Sequence, residues 1–277
     1  MAWSEYVHPR NWLSQSFPGL RDLSYSAIFA RLPIIQLVGC DMRLFYVLTL
    51  VFSALCAHGM TSHVYSSKAI DSAIMRYSLP KEPELISFFT KANVAYPPKE
   101  IALLAFKKEQ RIQLWAHDSE QAWHHIHSFP LTAYSGTLGP KLKEHDRQIP
   151  EGIYRLVTFN PFSSMHLSMM INYPNEFDLQ HARKDGRNQL GSNIFLHGKS
   201  LSVGCLAVGD RAIDELFLLA RRVGLDHVQL IIAPNDLRKE KPATAQGAQP
   251  QWLPELYQHI SLALRKFPIL ENKKIIS

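Results

Sequence analysis

The period of the apolar positions changes several times along the chain, and each change predicts an element. Ala69, Ile70, Ala73, Ile74 and Tyr77 recur at helical spacing, so a helix is expected there, closed by Pro80 and Pro83. A second helix is expected to start at Pro83 and to end at Pro97-Pro98. From Ile101 the texture becomes that of strands. Ile101–Phe106 is an unbroken apolar run, Lys107–Gln110 a charged turn, and Ile112, Leu114 and Ala116 alternate, which is a hairpin pattern. Further strands are expected over Trp123–Phe129, Leu131–Ser135, Ile153–Phe159 and Leu167–Ile171, then a turn at Tyr173-Pro174-Asn175 and a polar loop over 178–191. Another strand ends in His197-Gly198. Asp210 is placed to cap a helix running to about Val223, with Gly224 as its stop, and His227–Ala233 reads as a buried strand. Residues 236–250 form a charged loop rich in Pro, Ala and Gln, and Leu253–Phe267 a last amphipathic helix. The sum is a mainly β domain with packed helices. It is not a βαβ repeat, and nothing in it reads as a Gly-rich phosphate cradle.

Composition adds a little to this picture. With 277 residues, 46% of them hydrophobic and 19% charged, the chain is long and apolar enough for a sizeable core. A formal charge of +6 suits an anionic surrounding such as a cell wall, a membrane surface or a nucleic acid. The basic residues form no long run, so no nucleic-acid partner is expected.

Met42-Arg43, the apolar run Leu44–Cys56 and then Ala57-His58-Gly59 match the three parts of a secretory signal peptide. The run is shorter than the roughly 20 residues of a membrane span, so membrane contact is expected only during export. On this reading translation starts at Met42; the alternative is a buried core helix over 44–57. The cysteines are Cys40, Cys56 and Cys205, and cleavage near Gly59 would leave Cys205 alone, without an internal disulfide.

The stretch Asn193–Val208 concentrates the candidate chemistry. A strand ends in His197-Gly198, a tight loop follows, and Ser202-x-Gly204-Cys205 forms a corner, which puts an imidazole and a thiol across a turn-back. A free thiol titrates near 8.5, so only a few per cent is thiolate at neutral pH. An imidazole at His197 that accepts its proton would make Cys205 a useful nucleophile. The Gly198 carbonyl could hold the other ring nitrogen and fix the tautomer, and the N–H groups of Gly204 and Cys205 are candidate oxyanion donors. His166, Ser202, Lys141 and Tyr154 are candidate substrate contacts. His124, His125 and His127 raise a metal reading, with His125 and His127 on one face of a strand. No carboxylate or cysteine accompanies them at ligand spacing, so a solvated strand face is expected and no metal.

Taken together, Gly139-Pro140-Lys141, Gln148-x-Pro150-Glu151-Gly152-x-Tyr154 and His197-Gly198 with Ser202-x-Gly204-Cys205 resemble the L,D-transpeptidase catalytic (YkuD) domain. More narrowly they are similar to its YafK-like branch of exported murein enzymes. The resemblance implies a β-sandwich-like catalytic domain over residues 99–235, with the active site at one end of the sheets. Its nucleophile falls on Cys205, its base on His197, and its third element, a backbone carbonyl, on Gly198. Val203 stands where the common signature has a histidine, and Leu206-Ala207-Val208 lacks the Arg or Asn usually found shortly after the cysteine. The implied reaction is attack on the amide at meso-diaminopimelate of a peptidoglycan stem peptide, through a thioester acyl-enzyme. Transfer to an amine gives a cross-link, and transfer to water gives hydrolysis, including release of a murein-bound lipoprotein. The partners would be stem peptides and that lipoprotein, the compartment the periplasm, and no metal or organic cofactor is implied. Around the domain lie an extension (1–41), a signal peptide (42–59), a helical lead-in (60–98) and a loop with a C-terminal helix (236–277). A non-catalytic cell-wall-binding module retaining the pocket is the reading from another class. A secreted papain-like protease fits least, because here the histidine precedes the cysteine.

Overall fold

The computed structural model describes residues 64–117, 122–244, 247 and 249–270. The expected extension (1–41) and signal peptide (42–59) lie outside the described residues. Helix α1, Ser67–Ala73, begins at Ser66, whose Oγ accepts from Ala69 N, and it buries Ile70 and Ala73. It widens into a π-type turn over Ile74–Ser78 and a 3-10 turn over Leu79–Lys81, and the chain then enters α2, Glu82–Lys91. Pro83 sits in the first turn of α2, where no N–H is needed, so the prolines help to start α2 as well as to end α1.

The strands are β1 (Ile101–Phe106), β2 (Arg111–His117), β3 (Trp123–Pro130), β4 (Gly152–Asn160) and β5 (Ser168–Ile171). Helix α3 (Glu176–Lys184) follows, then β6 (Phe195–His197), β7 (Leu206–Ala207), α4 (Asp210–Val223), β8 (Val228–Ala233) and α5 (Leu253–Leu264). They make one eight-stranded sheet in the order β3-β2-β1-β8-β4-β5-β6-β7. The mainly β domain with packed helices is thus what the chain forms. Beyond β3, the stretch expected as a strand over Leu131–Ser135 contributes only a single bridge, Ala133 to Ala207.

Why Ile101–Phe106 is apolar without interruption is now plain: both faces of β1 are covered. Ile101, Leu103 and Ala105 join a core with Ile213, Leu216 and Phe217 of α4, whereas Ala102, Leu104 and Phe106 join a second core with Leu256, Tyr257 and Ile260 of α5. Each such Leu, Ile or Phe side chain, fully buried, contributes about 1.5–3 kcal/mol. Helix α4 is buried nearly all round, Asp214 and Glu215 included, because the turns over Ile74–Ser78 and Leu79–Lys81, with α2, cover its outer side. Ion pairs Arg211–Glu84, Arg221–Asp71 and Arg222–Glu82 fasten that layer.

The polar loop expected over 178–191 is in part a helix, α3. Its sequence is too polar to show a buried stripe, but Asn175 and Asp178 form a reciprocal capping box. The shared face expected for His125 and His127 is also corrected. Pairing shifts between Leu114 and Trp115, so Ile126 is an extra residue in β3, and such a bulge reverses the alternation. His125 packs edge-on against Trp115 of one core, and His127 stacks on Phe88, which packs against the other.

Candidate active site

The parallel pair β6–β7 aligns Leu196 with Leu206 and His197 with Ala207. Leu196 and Leu206 point into the core beneath α4. Strand alternation therefore puts His197 on the opposite face, and Cys205 immediately precedes β7, the strand beside it. His197 is buried and its Nδ1 lies 2.6 Å from the Gly198 carbonyl oxygen. That oxygen can only accept, so Nδ1 carries the hydrogen and, in the neutral ring, Nε2 carries the lone pair. Cys205 is half-buried. Its Sγ accepts from Phe195 N at 3.4 Å and donates toward the Asn193 carbonyl at 3.9 Å.

Burial pushes the His197 imidazole below its usual range, partly offset by the hydrogen bond to Gly198. Burial pushes the Cys205 thiol up, opposed by the Phe195 N–H and by the charge of Lys141. Both shifts favour the neutral forms of the thiol and the imidazole.

Of the two backbone donors nominated for an oxyanion, Gly204 N–H is already engaged: it donates to Ser135 Oγ at 2.7 Å. Ser202 closes the same corner, its Oγ donating to Cys205 O at 2.8 Å and lying 2.9 Å from Ser135 Oγ. Ser202 is therefore a fastener of the turn. Gly204 has φ +108°, and a Cβ there would lie 3.0 Å from the Gln148 carbonyl, so the loop before β4 packs directly on this corner.

That loop explains the Pro-Glu-Gly block. Glu151 is fully buried, pairs with Lys107 Nζ at 3.0 Å and accepts from Gly139 N and Tyr257 OH. Lys107 also donates to the carbonyls of Gly139 and Ile149, so the charged turn expected at 107–110 has an interior lysine. Removing one partner of such a pair costs about 3–5 kcal/mol. Asp146 gathers Lys141 Nζ at 2.5 Å and the N–H groups of Leu142, Lys143 and Gln148. Burial raises the Asp146 carboxyl, but these donors outweigh it and hold it below the usual range.

Three expected substrate contacts are therefore placed otherwise. Lys141 is buried with its ammonium on Asp146 and the Lys143 carbonyl, so it acts on Cys205 only by its field. Tyr154 is interior, its hydroxyl shared among the Glu151 carbonyl and the Asp178 carboxylate. His166 sends its ring to α4, with Nε2 2.7 Å from Asp214 Oδ1 and Tyr77 edge-on beside it. Residues the motifs did not nominate but which shape the corner are Ser135, Asp146, Lys107 and Asp210. Among the described residues, no three His, Cys, Asp or Glu side chains are placed to hold a metal. A broad cavity beside α5, lined by Leu237, Tyr257 and Ser261, holds none of the candidate residues.

The segment that carries His197, its tautomer fixed by a carbonyl, and Cys205 falls within the stretch that comparison with known proteins matches. The model of the YkuD family, the L,D-transpeptidase catalytic domain, matches residues 101–228, from the first residue of β1 to the first of β8. Two Escherichia coli proteins, from strains K12 and O157:H7, each bear the name "Putative L,D-transpeptidase YafK". Each is 32% identical over 134 residues, covering 47% of this chain and 52% of the relative. The chain thus spans about half the length of the curated relatives it matches. Solved structures are more distant. The helical cell shape determining protein Pgp2 of Campylobacter jejuni aligns with TM-score 0.41 and 19% identity, over 60% of this chain and 57% of that one. Bd1075 of Bdellovibrio bacteriovorus aligns with TM-score 0.36 and 23% identity, over 51% of this chain and 50% of that one.

Proposed function

We propose that the protein is a peptidoglycan-acting enzyme of L,D-transpeptidase type with Cys205 as nucleophile and His197 as base. The observation that carries this reading is the His197 imidazole on β6, with Nδ1–H committed to the Gly198 carbonyl, beside the strand that Cys205 immediately precedes. The matched family and the YafK-named relatives support the substrate class.

The thiol turns from the Asn193 carbonyl toward His197, and Nε2 takes its proton as Sγ attacks the amide carbonyl at meso-diaminopimelate of a stem peptide. The Cys205 N–H, with Gly204 N–H held by Ser135, donates to the oxyanion. Collapse breaks the C–N bond, the imidazolium returns the proton to the departing amine, and a thioester remains. An incoming amine or water then gives up a proton to His197 and takes the acyl group, and the thiol is regenerated. An amine yields a cross-link. Water yields hydrolysis, and where the bond joins a lipoprotein to peptidoglycan, its release. Export through the signal at 42–59 would deliver the enzyme to this substrate in the periplasm.

Incubation with purified peptidoglycan, followed by mass spectrometry of the released peptides, tests the proposal. The native enzyme should exchange or trim stem peptides, and Cys205→Ala and His197→Ala should fall to background. Full turnover by Cys205→Ala would overturn it, as would binding to peptidoglycan without any product, the behaviour of a wall-binding module.

A further inference from the structure

Asp210 follows Cys205 by five residues and opens α4, yet it does not cap that helix. Its Oδ1 instead accepts from Lys199 N at 2.7 Å. Lys199 N–H and the Gly198 carbonyl are the two ends of one peptide unit. In a trans peptide they point in opposite directions, so this unit has Asp210 at its N–H end and His197 Nδ1 at its carbonyl end. The next carbonyl and the Lys199 side chain are held as well. Thr132 Oγ1 donates to Lys199 O at 2.6 Å, Lys199 Nζ donates to Ser164 O at 2.7 Å, and Lys199 itself has φ +54°.

Gly198 records how closely these parts are fitted. A Cβ there would lie 2.6 Å from Asp210 Oδ1 and 2.9 Å from the Met165 carbonyl. The glycine is required for space, since the carboxylate rests against its Cα.

We propose that Asp210 is a positioning residue of the active site, acting on His197 through the Gly198–Lys199 peptide. A carboxylate at the N–H end draws the amide hydrogen, increases the negative charge on the Gly198 oxygen and strengthens its hold on Nδ1–H, as hydrogen bonds in series polarise one another. The series is carboxylate, peptide, imidazole, thiol. It does the orienting work of a triad aspartate with one peptide unit inserted.

This inference rests on the Cys205–His197 reading, and one experiment separates the two. The rate of iodoacetamide alkylation at Cys205 is measured from pH 5 to 10 by mass spectrometry of its peptide, beside kcat and KM on stem peptides and the thermal midpoint. Asp210→Ala should slow alkylation at pH 7 about tenfold and move the midpoint up by about one pH unit, lowering kcat with KM unchanged. Asp210→Asn, which keeps the acceptor oxygen without its charge, should fall between Asp210→Ala and the native enzyme. His197→Ala sets the floor. If Asp210→Ala alkylates like the native enzyme while His197→Ala sits at the floor, the role of Asp210 is overturned and the Cys–His reading stands. If His197→Ala alkylates and turns over like the native enzyme, both fall. A lowered thermal midpoint with an unmoved pH profile would make Asp210 only a part of the start of α4, and would also overturn the proposal.

Discussion

At the scale of single residues, the site is governed by close approaches. Gly198 does not have a left-handed φ, so conformational freedom is not what it supplies. It supplies the room in which Asp210 Oδ1, the Met165 carbonyl and His166 Cβ meet the backbone. Gly198→Ala should therefore behave as an overpacking change, costing about 1–3 kcal/mol. Because the displaced atoms hold His197, turnover should fall about a hundredfold. Thermal unfolding and stem-peptide turnover measured together check this, and a variant with native midpoint and native turnover would remove the steric argument. The His-Gly and Ser-x-Gly-Cys spacings were legible as chemistry because both partners lie close in sequence. Ser135, which engages Gly204 N–H from 69 positions away, was not, since only the fold brings it there. Asp210 was visible but assigned to the helix it begins.

The elements differ in how openly the chain announces them. Helix α4 has a strong apolar stripe and a glycine stop, and its bounds follow the pattern. Helix α3 is polar, and only its capping box marks it. The bulge in β3 was invisible, because a shift of register leaves no trace in a run of histidines. Burial of α4 on both sides also has an electrostatic consequence. Glu215 is buried with Oε2 unpartnered, and burial pushes its carboxyl up to about 7, with Glu84 adding to the push and Arg211 opposing it. In the unfolded chain a glutamate titrates near 4.3. The folded state thus binds the proton more readily across that window, and the native protein loses stability as pH rises from about 4.3 to about 7. Glu215→Gln removes this loss. Its thermal stability should match or trail the native protein at pH 4 and exceed it at pH 8 by at least about 1 kcal/mol. An advantage that does not grow with pH would contradict the assignment.

For the whole molecule, one sheet with a core on each face carries the site at an end where short strands β6 and β7 run parallel. The motif blocks that pointed to the family divide into two kinds of work. His197, Gly198 and Cys205 are the proposed chemistry, whereas Glu151 and Tyr154, joined by Lys107 from outside those blocks, hold the loop that walls it, from fully buried positions. That division could not be read from spacing, because a buried lysine and an exposed one look alike in a charged turn. The most direct measurement of the central claim is the intact mass of the protein after brief exposure to a stem tetrapeptide. The account predicts a thioester adduct equal to the peptide less its departing amine, located on Cys205 and absent from Cys205→Ala. Turnover of the peptide with no adduct on Cys205, undiminished in Cys205→Ala, would contradict it.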